Sequence, residues 1–309
     1  MKIYILTPNA KALFTSDLKN KLNTAGEVVL VEKSQEMKDI LGLFDGKEEK
    51  ILAIDPDFNN WTVKNEDVEK IQNLKGIVLQ TTSFSWIDGA FAKSKGIPVV
   101  NLRGFSTEAV AEWTLLMALS VARKIPVVAK DEWKQDCVKH MGVEIKDKVA
   151  GIIGLGSIGT RVAELFSGIG MDIIYWSKDS EDKRFKKVEL GELLKTADVI
   201  SPHVAQNDET QGLLTDETLK SMKKTTIFVS TIHSIYNHDL LLQMVKESNL
   251  YGYAFEEDGG GKFATYDGNV WGGPALAWCT EDSMRKNAEQ WVEAIVNASK
   301  GKFDNQINK

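Results

Sequence analysis

The stretch VAGIIGLGSIGTRVAELFSG, Val149 to Gly168, decides how this chain is read. It opens with a short apolar run, Val149 to Ile153, and passes through Gly154, Gly156 and Gly159 in the spacing G-x-G-x-x-G. It then continues as a helical pattern from Thr160 to Gly168. Alone, the spacing is common; between a strand and a helix it acquires a mechanism. Gly154 permits a tight turn, Gly156 lets the backbone approach a pyrophosphate, and Gly159 lets helix and strand pack closely. The helix start, with Ser157 and Ile158, offers unpaired N–H groups and the positive end of a dipole. The alternative is a glycine-rich turn that holds nothing. Strand, spacing and helix together point to a dinucleotide.

The end of the following strand, DIIYWSKDS, bears on which dinucleotide. An NAD site usually offers an acidic residue there to the ribose 2′-OH, whereas an NADP site offers a small polar residue and a cation. Ser177 and Lys178 occupy that place, which favours NADP(H) with NAD(H) still possible. The plainer alternative is a surface lysine beside Asp179.

Working outward, short apolar runs alternate with amphipathic stretches along the whole chain. KIYIL, EVVLV, ILAID, GIVLQ and IPVVN read as buried parallel strands, with a helix at Asn65 to Gln72 among the segments between them. TEAVAEWTLLMALSVA, Thr107 to Ala122, is a long helix apolar on most faces and is expected to be deeply buried. A polar, irregular arm follows, and the alternation restarts with VAGIIG, DIIYW, DVISPH, TIFVS and LYGYAFE. The last helix, from about Thr280 to Ala298, begins with a capping threonine and an acidic first turn. Two βαβ series predict an α/β chain of two doubly wound parallel-sheet domains.

Bulk properties narrow the function classes. The chain has 309 residues, 43% hydrophobic and 27% charged, enough for two ordinary cores. A net charge of -6 disfavours nucleic acid. No run is long enough to span a membrane and no signal-peptide plan is present, so a soluble, cytoplasmic protein is expected. Cys137 and Cys279 suit a reducing compartment, and neither they nor the four histidines have the spacing of a metal site.

Beyond the glycines, GIPVVNLRGFSTEAVAEW, GVEIKDKVAGIIGLGSIG and ADVISPHVAQNDETQGLL resemble the D-2-hydroxyacid dehydrogenase family, and the similarity runs over nearly the whole chain. The resemblance implies a Rossmann dinucleotide-binding domain, residues 101–283, and a flavodoxin-like substrate domain, residues 1–100 completed by 284–309. It also implies a homodimer joined through an arm at 107–149, and a small-molecule substrate. His203 and Val204 match the family's H-V-P turn beside the cofactor, here H-V-A, and Thr210 and Thr231 join the cofactor contacts. Glu256 aligns with an aspartate that contacts the nicotinamide amide. Thr82 and Ser83 fall in the family's glycine-rich substrate loop, where side chains are expected to replace exposed backbone; Trp278 is a further candidate for the substrate.

The family's catalytic residues are where this chain departs. An arginine that holds the 2-keto carboxylate belongs where His233 stands in STIHS, and a proton-donating histidine belongs where Ala275 stands in NVWGGPALAW. The glutamate that pairs with that histidine is expected near Gly261 or Lys262, in an insertion begun by Gly259, Gly260 and Gly261, where no carboxylate lies. His233 is the one candidate for a catalytic role: imidazole donates protons near neutrality, and Glu256 or Glu257 could orient it. A passive replacement is the other reading of His233. The chain is therefore expected to be an NAD(P)-dependent oxidoreductase with an altered site and an atypical carbonyl or hydroxy substrate, or else an inactive dinucleotide-binding protein acting as a sensor or assembly partner.

Overall fold

In the computed structural model, which describes residues 1–207, 209–257 and 266–309, each of the ten apolar runs named above forms a strand. The chain divides into two compact units, Met1–Ser106 with Thr280–Lys309, and Thr107–Cys279. Each has one parallel sheet.

In the first unit, β1 (Lys2–Leu6), β2 (Glu27–Val31), β3 (Lys50–Ile54), β4 (Leu74–Leu79) and β5 (Val99–Val100) lie in the order β2-β1-β3-β4-β5. This is the flavodoxin-like order. Every residue of β3 is buried, as a continuous apolar run between two covered faces requires. The helix Glu281–Ser299, capped by the Thr280 hydroxyl accepting from the Ser283 amide, covers one face. Its Trp291 is fully buried, stacks on Phe14 at 5.7 Å and donates its indole N–H to the Val78 carbonyl. Chain-terminal residues thus complete the core begun by the first hundred.

In the second unit, β6 (Val149–Ile153), β7 (Asp172–Trp176), β8 (Lys186–Lys187), β9 (Val199–Pro202), β10 (Ile227–Ser230), β11 (Gly252–Glu257) and β12 (Val270–Pro274) lie in the order β12-β11-β10-β9-β6-β7-β8. The strand order reverses between β6 and β9, and the C-terminal ends of these two strands frame the crevice where such sheets bind ligands. Two short strands depart from the sequence reading. β8 has only two residues. β12 runs through VWGGP, to which no strand was assigned from sequence, and pairs with β11 from Tyr253↔Val270 to Glu257↔Pro274.

The helix Thr107–Ala122 buries Ala109, Val110, Ala111, Thr114, Met117, Ala118 and Val121 among the residues of one face. It is not buried all round, contrary to the sequence expectation. Leu116 and Leu119 are 46% and 39% exposed, because no described residue of this unit packs over that side. After the short helix Ile125–Lys130, residues 131–148 form neither helix nor strand.

Candidate functional site

The glycine turn lies at the reversal of strand order. Gly154 follows β6 with φ of +92°, a left-handed conformation that favours glycine, and its amide donates to the Trp176 carbonyl at 2.8 Å. A side chain at Gly159 would place its Cβ 2.0 Å from the Gly154 carbonyl oxygen, so helix and turn touch without any intervening atom. Gly156 differs: a Cβ there meets nothing within 4 Å. It is the N-cap of the helix Ser157–Gly168 and supplies no side-chain cap to the first-turn amides. Open space in front of uncapped N–H groups is what a pyrophosphate needs, and these residues fit a dinucleotide.

His203, directly after β9, borders the same turn, its amide donating to Ile153 at 2.7 Å. Its Nε2 lies 2.8 Å from the Ser201 hydroxyl, which in turn donates to the Val229 carbonyl. The hydroxyl has one proton, so the imidazole donates Nε2–H and leaves Nδ1 as an acceptor. Burial pushes this imidazole down to about 3, and the ring is neutral at ordinary pH. Val204 stands against Gly154, where a Cβ would fall 2.7 Å from its Cγ1. Thr210 braces the following turn, donating to Ala205 and accepting from the Asn207 amide.

At the end of β7, Ser177 is buried and accepts from the Ser180 amide. Lys178 reaches over to Glu209 rather than lying against Asp179, with an Nζ–Oε2 distance of 2.8 Å between two exposed side chains. The expected cation is present, already paired.

His233 lies in the loop after β10, next to half-buried Thr231 and Ile232, with its side chain exposed. Its amide, and those of Ser234 and the Ser234 hydroxyl, all donate to Gln206 Oε1 at 3.0–3.1 Å. Gln206 went unread in the sequence; a lone polar residue after H-V-A gives no local sign of a partner 27 residues away. Among the described residues no bond joins His233 to Glu256 or Glu257. Buried Glu256 accepts from the amides of Leu276 and Ala277, both at 2.7 Å, and so pins the turn after Ala275. Glu257 accepts from the Tyr266 hydroxyl, raising that phenol to about 12 through burial and then this bond. Trp278 is half-exposed just beyond. The positions expected for the family's glutamate, with Gly259 to Lys262, lie outside the described residues.

Thr82 and Ser83 belong to the other unit, beyond the end of β4. Here the carbonyls of Thr81, Thr82 and Ser83 accept from Leu102 N, Asn101 Nδ2 and Trp86 Nε1 respectively. Because a trans peptide opposes its C=O and N–H, the amides that follow face away from these donors. Asn101 and Trp86 thus fix the loop's backbone, while Thr82 and Ser83 stay exposed.

Residues 115–257 match the family model described as D-isomer specific 2-hydroxyacid dehydrogenase, NAD binding domain. A glyoxylate reductase of Aeropyrum pernix is 33% identical over 261 residues, covering 76% of this chain and 77% of that protein. The chain belongs to the D-isomer specific 2-hydroxyacid dehydrogenase family. A glyoxylate reductase of Thermococcus litoralis is 29% identical over 91% of this chain and 86% of its own. Among solved structures, an acyclic imino acid reductase (Bsp5) in complex with NADPH and D-Arg superposes with a TM-score of 0.85 at 26% identity, covering 99% of this chain and all of that one. The family brings a nicotinamide dinucleotide and a small-molecule substrate. No helix among the described residues is long and apolar enough to cross a membrane.

Two outcomes follow from this geometry. Gly156→Val should leave the thermal midpoint nearly unchanged, since the space is open, yet weaken nicotinamide nucleotide binding about tenfold or more by calorimetry, because backbone approach is lost. His203 is neutral when folded, while the unfolded chain takes up a proton below 6.5. Its contribution is thus complete above pH 6.5 and is lost as pH falls towards 3, by at most about 1.4 kcal/mol per pH unit. Urea midpoints of His203→Gln should fall less between pH 7.5 and 5 than those of the unsubstituted protein.

Proposed function

We propose that the protein is a reductase that prefers NADP(H) and acts on the imine of a small 2-oxo acid instead of on the free oxo acid. The observation that carries this reading is Ala275, which stands where the family resemblance puts the proton donor. Reducing a ketone requires a proton on oxygen, and a positioned acid is worth roughly 10²–10⁴-fold. A protonated imine already has its proton on nitrogen. Hydride addition forms the C–H bond while the C=N π pair retreats to nitrogen, giving a neutral amine without any acid at residue 275. The likeness to an imino acid reductase bound to NADPH supports the same substrate class.

When bound, the nicotinamide supplies the hydride. The chain's own residues do the rest. Gly154, Gly156, Ser157, Ile158 and Gly159 hold the pyrophosphate, with His203, Val204, Thr210 and Thr231 along the cofactor's length. Ser177 and Lys178 take the 2′-phosphate, for which Lys178 must release Glu209. Glu256 keeps the turn after Ala275 in shape for the nicotinamide end. His233, the ionisable group of its loop, keeps the proton on the imine nitrogen, and Thr82, Ser83 and Trp278 meet the substrate. Exposed Leu116, Leu119, Trp133, Val138 and Met141 support pairing of two chains through the arm. The free cysteines Cys137 and Cys279 are consistent with the cytoplasm.

The test is NADPH oxidation with glyoxylate alone and with glyoxylate plus methylamine. The mixture should react about 100-fold faster than the oxo acid alone. Equal rates would sink the imine reading, and tight NADPH binding with no turnover in either mixture would mark an inactive binding protein instead. NADPH should outcompete NADH, and Glu209→Gln should tighten NADPH by up to about fivefold, the scale of one exposed ion pair. His233→Ala should slow turnover about tenfold or more.

A further inference from the structure

The loop that presents His233 is held from both sides. Ser230, the fully buried last residue of β10, donates its hydroxyl to the Ile232 carbonyl at 2.6 Å and accepts from the Ile232 amide at 3.2 Å. Ser230 is sealed from solvent, so water is no substitute for a lost partner.

The Ser230 hydroxyl donates to a backbone carbonyl, which takes up no proton, so it positions and does not relay. On the opposite edge of the same peptide, the His233 amide donates to Gln206 Oε1, which also holds Ser234 through its amide and hydroxyl. A peptide unit is planar. Fixing its C=O on one side and its N–H on the other therefore fixes the plane, and with it the direction in which His233 leaves the backbone.

We infer that Gln206 and buried Ser230 are positioning residues that clamp the Ile232–His233 peptide and thereby aim the His233 imidazole. The inference rests on the proposed role of His233, and two readouts separate them: amide hydrogen exchange across residues 231–236, and the division of any rate loss between kcat and KM. The full chain is compared as Ser230→Ala, Gln206→Met and Gln206→Glu, with glyoxylate, methylamine and NADPH as probes.

Ser230→Ala and Gln206→Met should speed exchange in this loop about five- to tenfold, the scale of one net hydrogen bond. They should also lower kcat about tenfold while KM for NADPH stays nearly constant. Gln206→Glu keeps an acceptor oxygen and should restore both. Unchanged exchange in Ser230→Ala and Gln206→Met overturns the clamp. Faster exchange with unchanged kcat, where His233→Ala is itself slow, overturns the aiming. If His233→Ala is as fast as the unsubstituted protein, the reading of His233 falls, and exchange alone decides the clamp. Gln206 is exposed, so its pair of variants carries the test should Ser230→Ala fail to fold.

Discussion

The close approach of Gly159 to the Gly154 carbonyl is the constraint on which the second unit depends. With 2.0 Å between that oxygen and any added Cβ, no side chain is possible there, and the helix Ser157–Gly168 begins directly on the strand it follows. The contact fixes where the helix points. Its amides and the positive end of its dipole, equivalent to roughly half a charge, then face the crevice at which the strand order reverses. His203 lies at the same crevice, yet its burial keeps it neutral. A nucleotide phosphate would therefore be met by backbone dipoles and not by a formal charge from this side. Lys178 is the nearby cation on the β7 side, and Glu209 already compensates it.

Where local chemistry decides an element, the sequence displays it. Lys2–Leu6 and Asp172–Trp176 are strands because β-forming runs of that length, bounded by turn residues, have little else to form. The final helix is announced by Thr280 and the two acids after it. β12 is different, because VWGGP carries the residues of a turn. Its Gly272 is required by something distant: a Cβ there would lie 2.4 Å from the Tyr266 ring and 2.9 Å from Phe255. Pro274 is tolerated because β12 ends the sheet and Pro274 ends β12. Edge position and aromatic packing, neither of them local, made this strand.

The candidate site shows the same divide. The glycine cradle was readable because its mechanism is contained within twenty residues. The loop Thr81–Phe84 was not, because what turns its peptides are Asn101 and Trp86, side chains brought in by the fold. Glu256 reads as a cofactor ligand in sequence, and the structure adds that one of its oxygens holds two amides of the turn after Ala275. Its register opposite Gly273 puts it there, and register is a property of the assembled sheet.

Taken together, the polar side chains around the proposed reaction centre share a chemical character. Glu256 accepts from the backbone through one oxygen, and Gln206 gathers three donors from the His233 loop through one. Ser201 and Ser230 direct their protons to carbonyls. Each such group shapes backbone, and none of these bonds leaves a proton aimed outward. A site built of acceptors and inward-turned hydroxyls is poor at supplying protons and good at holding a fixed geometry around a group that brings its own. An iminium is such a group, whereas a neutral ketone is not. The same character makes direction matter more than acidity for His233, since one imidazole in a rigid loop serves only the atom at which it points.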